Sequence, residues 1–143
     1  MKEKKKAFVF DLDGTLFLTT AKEREANHKD GAFVEFADAT MLREKSKPLP
    51  LLVLAKQVKA EGHSVYILTA RNSIIAKAIH SLLETHGVVA DYVHCVGDNG
   101  LNIPKYKSEI LERLHTMYDN TYFYDNEEVN LSMAPNGVRT FKV

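Results

Sequence analysis

The chain has 143 residues, room for one domain of ordinary size, and its 45% hydrophobic and 27% charged content excludes a disordered or fibrous polymer. Nineteen basic and nineteen acidic residues cancel, which excludes an overall field drawing the protein to nucleic acid or an anionic membrane but leaves local patches open. Cys95 is the only cysteine, so an intrachain disulfide and a cysteine-built zinc site are both excluded, and the usage suits a reducing cytosol.

The basic start (Lys2, Lys4, Lys5, Lys6) reads as a solvated terminus rather than a binding arm. It runs into Ala7-Phe8-Val9-Phe10, a continuous apolar run of the kind found in a strand buried on both faces. Such runs, here and at Leu51 to Leu54, stop far short of the roughly 20 apolar residues that span a bilayer. No secretory signal is recognisable, and a cytoplasmic location is expected. The first strand ends in Asp11-Leu12-Asp13-Gly14-Thr15, where the chain must turn.

The next stretch, Leu18 to Lys47, fits no alternation of strands and helices. Its first part, Ala21 to Gly31, is highly charged, while Phe33, Phe36, Ala37, Thr40 and Met41 make a helical stripe. A small helical lid is expected there, packed over one end of a sheet. Leu51, Leu52, Leu54, Ala55 and Val58 then fall on one helical face, with Pro48 and Pro50 ahead of them and Gly62 as the stop. Val65-Tyr66-Ile67-Leu68 is a second buried strand ending at Thr69.

Asn72 stands as N-cap to a helix carrying Ile74, Ile75, Ala78, Ile79, Leu82 and Leu83, closed by Gly87. A third strand is expected over Tyr92 to Val96. Gly97-Asp98 reads as a turn. Ile110, Leu111 and Leu114 mark a helix starting between Pro104 and Ser108. Thr121 to Tyr124 forms a fourth strand ending at Asp125, and Val138 to Val143 a fifth. The three consecutive aromatics Tyr122, Phe123 and Tyr124 suggest base stacking, but such runs in a strand are chiefly core. The whole predicts one α/β domain over 1–143, with a parallel sheet of about five strands between two helical layers and a small insertion at 18–47.

In such sheets, ligands bind beyond the carboxyl ends of the strands. Three strands here end in polar groups: Asp11 with Asp13, Thr69, and Asp125. The histidines show no His-x-x-x-His pair for a zinc hydrolase, and neither a Walker loop nor Gly-x-Gly-x-x-Gly is present.

Phe10-Asp11-Leu12-Asp13-Gly14-Thr15-Leu16 resembles the first signature of the haloacid dehalogenase superfamily, which is mostly phosphatases. Ile67-Leu68-Thr69-Ala70-Arg71 resembles its second motif, and Tyr124-Asp125-Asn126 its acidic fourth. The third motif is a lysine near a helix start, for which Lys107 and Lys105 both qualify. Lys107 precedes Ile110, Leu111 and Leu114 at three, four and seven positions, and its distance from Asp125 is close to that in the phosphatase domains of phage polynucleotide kinases. The pattern from Asp30 to Phe36, through a leucine-rich helix, to Thr69-Ala70-Arg71 is similar to those domains too. Many members carry two acids in the fourth motif; here Asn126 is the second residue and supplies no charge.

The resemblance implies a Rossmann-like fold and an aspartyl-phosphate mechanism. Asp11 would be the nucleophile and Asp13 the general acid and base, with Thr69 and Lys107 completing the catalytic set. Gly14, Thr69, Ala70 and Arg71 would surround the substrate phosphate. Like charges about 4 Å apart repel by roughly 4 kcal/mol at an effective dielectric near 20, so the carboxylates call for a cation. Magnesium is expected, held by Asp11, Asp125 and the backbone carbonyl of Asp13.

The expected function is therefore a magnesium-dependent phosphomonoesterase acting on a nucleotide or a nucleic-acid end phosphate. Another small phosphorylated metabolite and a non-catalytic binding or regulatory domain are the alternatives. Arg71, Arg24, His28 and Lys29 are candidates for reading a second phosphate or a base. Zero net charge favours a small substrate over a polymer. Neither a membrane nor an obligate protein partner is implied.

Overall fold

β1 (Ala7–Phe10) is apolar at every position because both faces of the strand are covered: Phe8 and Phe10 enter one core, Ala7 and Val9 the other. It is the middle strand of a five-stranded, wholly parallel sheet. The computed structural model in which it is seen describes residues 6–19, 39–100 and 102–143, with backbone alone for 39–41. The expectations placed on Lys2 to Lys5, on Arg24, His28, Lys29 and Asp30, on Phe33 and Phe36, and on the Met41 side chain lie outside the described residues.

After β1 come the two-residue strand β2 (Phe17–Leu18), helix α1 (Ala39–Lys45) and the two-residue strand β3 (Lys47–Pro48). β2 and β3 pair antiparallel, Phe17 opposite Pro48. The regular alternation follows: α2 (Leu52–Ala60), β4 (Ser64–Thr69), α3 (Ala76–Thr85), β5 (Tyr92–Cys95), α4 (Ile103–Met117), β6 (Thr121–Asp125), α5 (Glu128–Ser132) and β7 (Arg139–Lys142). Strand order is β5-β4-β1-β6-β7, so the fold class read from the sequence is the one observed.

The helices divide between the two faces. Ala55 and Val58 of α2 and Ile79, Leu82 and Leu83 of α3 cover Phe8, Phe10, Val65 and Ile67. Leu111 and Leu114 of α4 and Leu131 of α5 cover Val9, Tyr66, Leu68 and Phe123 on the other side. Each Val, Leu, Ile or Phe among them contributes about 1.5–3 kcal/mol on burial. Truncating the fully buried Phe10 to Ala would cost about 3–5 kcal/mol. Leu42 ties α1 into the first core beside Leu16 and Phe17, and α1 also packs on α3.

Local departures from the sequence reading have physical causes. Ile74 belongs by helical phase to the apolar face of the third helix, yet it is 80% exposed while Ile75 is buried. Ser73–Ile75 form a 3-10 turn ahead of α3, and its tighter winding rotates Ile74 outward. Asn72 precedes that turn without a side-chain cap; the Ser73 amide donates instead to Asp98 Oδ1 at 3.0 Å. Val96 leaves the third strand to start a second 3-10 turn, Val96–Asn99, which is the turn expected at Gly97-Asp98. No helix among the described residues is long and apolar enough to cross a membrane.

Candidate active site

Strand register alone gathers the polar ends. Phe10 pairs with Ile67 of β4 on one side and Tyr124 of β6 on the other, so the residues that follow emerge together. These are Asp11 beyond β1, Thr69 at the end of β4 and Asp125 at the end of β6. The Asp11 amide donates to the Tyr124 carbonyl at 2.9 Å, carrying the β1–β6 ladder one residue past the strand. From β1 the chain builds outward through β4 to β5, then returns through α4 to β6 on the opposite side of β1. Such a reversal of strand order opens a crevice at the carboxyl edge.

Lys107 closes the crevice from above. With Leu111 and Leu114 it forms the buried stripe of α4, spaced so that all three point at the sheet. Its Nζ donates to Asp11 Oδ1 at 2.9 Å and to Asp125 Oδ2 at 2.8 Å. Lys105, the other candidate, is exposed and holds its ammonium over the Tyr106 ring. Of the two lysines, Lys107 is the one that meets the carboxylates.

Two further side chains finish this cluster. The Thr15 hydroxyl donates to Asp11 Oδ2 at 3.2 Å, and Asn130 Nδ2 of α5 donates to Asp125 Oδ2 at 3.0 Å. The Glu127 amide donates to Asp125 Oδ1 at 2.8 Å. Sequence reasoning does not find Asn130; a buried amide five residues after Asp125, on a helix of five residues, leaves only a faint signal.

Asp13 belongs to a different arrangement. Arg71, fully buried, sends Nη2 to Asp13 Oδ1 at 2.7 Å and Nε to both carboxylate oxygens, at 3.0 and 3.2 Å. The Arg71 amide donates to the Thr69 hydroxyl at 3.2 Å, and the Arg71 carbonyl accepts from the Gly97 amide. Gly97 presses on this loop so closely that a Cβ there would overlap the Ala70 carbonyl. Thr69, Ala70 and Arg71 are therefore braced by the turn that follows β5. The Arg71 guanidinium, a candidate for reading a second phosphate or a base, grips Asp13.

Gly14 stands at φ +77°, a conformation open to glycine and strained for other residues. Its missing side chain also makes room for Asn126, whose Nδ2 lies 2.5 Å from where a Cβ would be. Asn126 thus closes against the turn after Asp13 rather than joining the charge cluster.

The electrostatics follow from burial. Desolvation pushes the Asp11 carboxyl up to about 7; Lys107 pulls it down, while Asp125 and Asp13 push it further up. Burial also works against the charge of Lys107, but Asp11 and Asp125 outweigh it and raise its pKa above the ordinary lysine value. Among the described residues three carboxylates meet two cations here, leaving an excess of negative charge. Cys95, nearby on β5, has its thiol pushed up to about 12, by burial first and Asp98 second, which favours the neutral thiol.

No group of three or more His, Cys, Asp or Glu side chains gathers as a metal site among the described residues. The donors gathered around Lys107 Nζ are the carboxylates of Asp11 and Asp125, all oxygen. This set, carrying surplus negative charge, fits a hard divalent cation that keeps several waters, as magnesium does, and not a softer metal.

No protein-family model matches the chain, and no curated protein does. Solved structures do. The chain superposes on a dehalogenase at 14% identity and TM-score 0.68, covering 99% of this chain and 86% of that one. It matches a chain of the Pnkp1/Rnl/Hen1 RNA repair complex at 18% identity and TM-score 0.65; there it is covered whole but spans only 44% of the other chain. A HAD-family enzyme from Bacteroides thetaiotaomicron, in complex with magnesium and inorganic phosphate, matches at 16% identity and TM-score 0.57, covering 96% and 93%. The chain has the haloacid dehalogenase fold.

Proposed function

We propose that this protein is a phosphomonoesterase that forms a covalent aspartyl-phosphate at Asp11, with Asp13 as acid and base. The observation that supports this best is the Lys107 ammonium shared between Asp11 and Asp125 where β1 and β6 end side by side. A buried carboxylate next to a fixed cation, with a second carboxylate two residues on, is what nucleophilic attack on phosphorus requires.

In the first step an Asp11 carboxylate oxygen bonds to phosphorus and the bond from phosphorus to the leaving oxygen breaks. Asp13 gives its proton to that oxygen. In the second step Asp13 takes a proton from water as the water oxygen bonds to phosphorus, and the Asp11–phosphorus bond breaks to release inorganic phosphate. Asp13 must turn its carboxyl away from the Arg71 fork in each step. Arg71 therefore acts as a positioning residue that sets where Asp13 starts. Thr69 and the Ala70 amide stand at the end of β4, where phosphoryl oxygens need donors. Thr15 and Lys107 keep Asp11 in one orientation.

Asp11, Asp125 and the backbone carbonyl of Asp13 would hold magnesium, which when bound would offset the negative charge shared by these carboxylates and the incoming phosphate. The likeness to a chain of an RNA repair complex favours nucleotides or nucleic-acid ends as substrates. Phosphate release from p-nitrophenyl phosphate, with magnesium and with chelator, tests the reading. Magnesium-dependent release that disappears in Asp11→Asn is expected. Its absence from the wild type, with nucleotides and phosphorylated oligonucleotides equally inert, would leave a non-catalytic binding domain.

A further inference from the structure

Beside the catalytic crevice lies a second feature. A cavity of about 560 Å³ opens between Gly14 and Thr15 on one side and Pro50, Leu51, Tyr124 and Phe141 on the other. Thr15, whose hydroxyl donates to Asp11 Oδ2, lines it, so the cavity borders the turn that follows Asp11 and Asp13. Its volume suits a group of nucleoside size.

The aromatic wall is ordered. On the face of the sheet carrying Phe8 and Phe10, rings from three adjacent strands stack in series. Phe10 and Tyr124 lie 5.0 Å apart and 17° from parallel; Tyr124 and Phe141 lie 4.7 Å apart and 14° from parallel. A second row joins the same end, Phe8 on Tyr122 at 4.9 Å and Tyr122 on Phe141 at 6.2 Å. Phe141 sits on the outer strand β7 and is 40% exposed. Its inner face meets Tyr124, so its other face points away from the sheet. Among the described residues no ring continues the stack beyond it.

Charge lies along the same face. The Arg139 guanidinium and the Lys6 ammonium each stand 5.7 Å from the centre of the Tyr122 ring. Arg139 precedes Phe141 by two residues, about 6.6 Å along a strand. An open-ended ring stack beside the phosphate pocket, with cations one step further on, matches the chemistry of single-stranded nucleic acid: a π-face for a base and charge for the next phosphate.

We propose that the outer face of Phe141, backed by Tyr124, forms a subsite for the terminal base of a single-stranded polynucleotide whose end phosphate occupies the site at Asp11, and that Arg139 and Lys6 meet the following backbone phosphates. This rests on the phosphatase reading above and names its substrate class. Zero net charge does not oppose it, because these two cations are concentrated on the one face that the rings occupy.

The test compares kcat/KM for a short oligothymidylate carrying a terminal phosphate, at either end, with that for glycerol 3-phosphate, which has no ring. Phe141→Leu should lower the ratio of the two about tenfold, through KM, the size of one base–aromatic stack. Phe141→Tyr, which keeps the ring, should retain the ratio. Replacing Lys6 and Arg139 together by Gln should reduce the slope of log affinity against log salt for the oligonucleotide by about 1.4. A ratio unchanged by Phe141→Leu overturns the proposal. Equal losses for thymidine monophosphate and the oligonucleotide, with an unaltered salt slope, also overturn it, since the occupant is then a free nucleotide. Anisotropy of the oligonucleotide labelled at its distal end probes the same stack by binding alone, and Phe141→Leu should weaken that binding about tenfold too. A wild type without turnover would sink the phosphatase reading and still leave this subsite to be judged by the Phe141→Leu binding constant.

Discussion

Asp11 and Asp13 are two residues apart and live in opposite surroundings. Asp11 is enclosed with Asp125 around a single ammonium, and the balance of charge there is negative. Asp13 is held by the Arg71 guanidinium and keeps some exposure, 13% of its side chain. The first arrangement suits a group that must stay put and be made reactive by what arrives. The second suits a group that must swing, because a partly open fork can be left and re-entered. One short turn therefore supplies both a fixed nucleophile and a movable proton carrier.

The sharpest way to break this contrast is at Asp11. Asp11→Asn should cut phosphate release by about four orders of magnitude or more, the scale of loss seen when other nucleophiles are removed. The metal-free variant should also be no less stable than the wild type near neutral pH. The raised Asp11 value means that the folded protein holds a proton which the unfolded chain loses near 3.8. That stabilisation is complete below 3.8 and disappears as pH rises through about 7. Melting temperatures of wild type and Asp11→Asn should therefore draw apart in favour of the variant between those two values. Parallel curves would show that Asp11 is not burdened by its burial.

Asp13→Asn should lower turnover by about 10²–10⁴-fold on an alkyl phosphate and far less on p-nitrophenyl phosphate, whose leaving oxygen hardly needs a proton. Equal losses on both would remove Asp13 from the acid role. Lys107→Met tests the enclosed side by stability: two buried carboxylates lose their shared cation, and chemical denaturation should show a loss of about 3–5 kcal/mol. A loss below about 1 kcal/mol would mean that water reaches the cluster. The smallest effect concerns magnesium affinity. Binding must displace the proton on Asp11, so affinity measured by calorimetry should climb with pH, by at most about tenfold per unit, and level off above about 7.

The same contrast separates what is legible in the sequence from what is not. β1 and β4 announce themselves as unbroken apolar runs because both their faces are covered, and Lys107 shares the helical phase of Leu111 and Leu114. The partnership of Arg71 with Asp13 joins residues beyond the ends of different strands, and no periodicity carries such a pairing. Asn130 and α5 escape notice because one turn of helix has too few residues to show a repeat. The β2–β3 pair, two residues on each side, is shorter than any alternation can reveal. Ile74 is misplaced because a 3-10 turn does not keep the α-helical phase. In the run Tyr122-Phe123-Tyr124 the core reading holds: Phe123 lies in one core, and its two neighbours face the other way and pack against the second.

The central place of β1 also sets when the site can come into being. Ala7 pairs with Ser64 on one side and with Thr121 on the other, so the strand bearing the nucleophile is completed only by segments far along the chain. Closing such long loops costs entropy before any contact repays it, and folds dominated by distant pairings form slowly. During synthesis Asp11 leaves the ribosome long before Asp125 and must wait for β6 to emerge. The nucleophile, its lysine and the second carboxylate can meet only in the late, cooperative step that closes the sheet. A truncated or half-folded chain accordingly holds the residues of the site without holding the site.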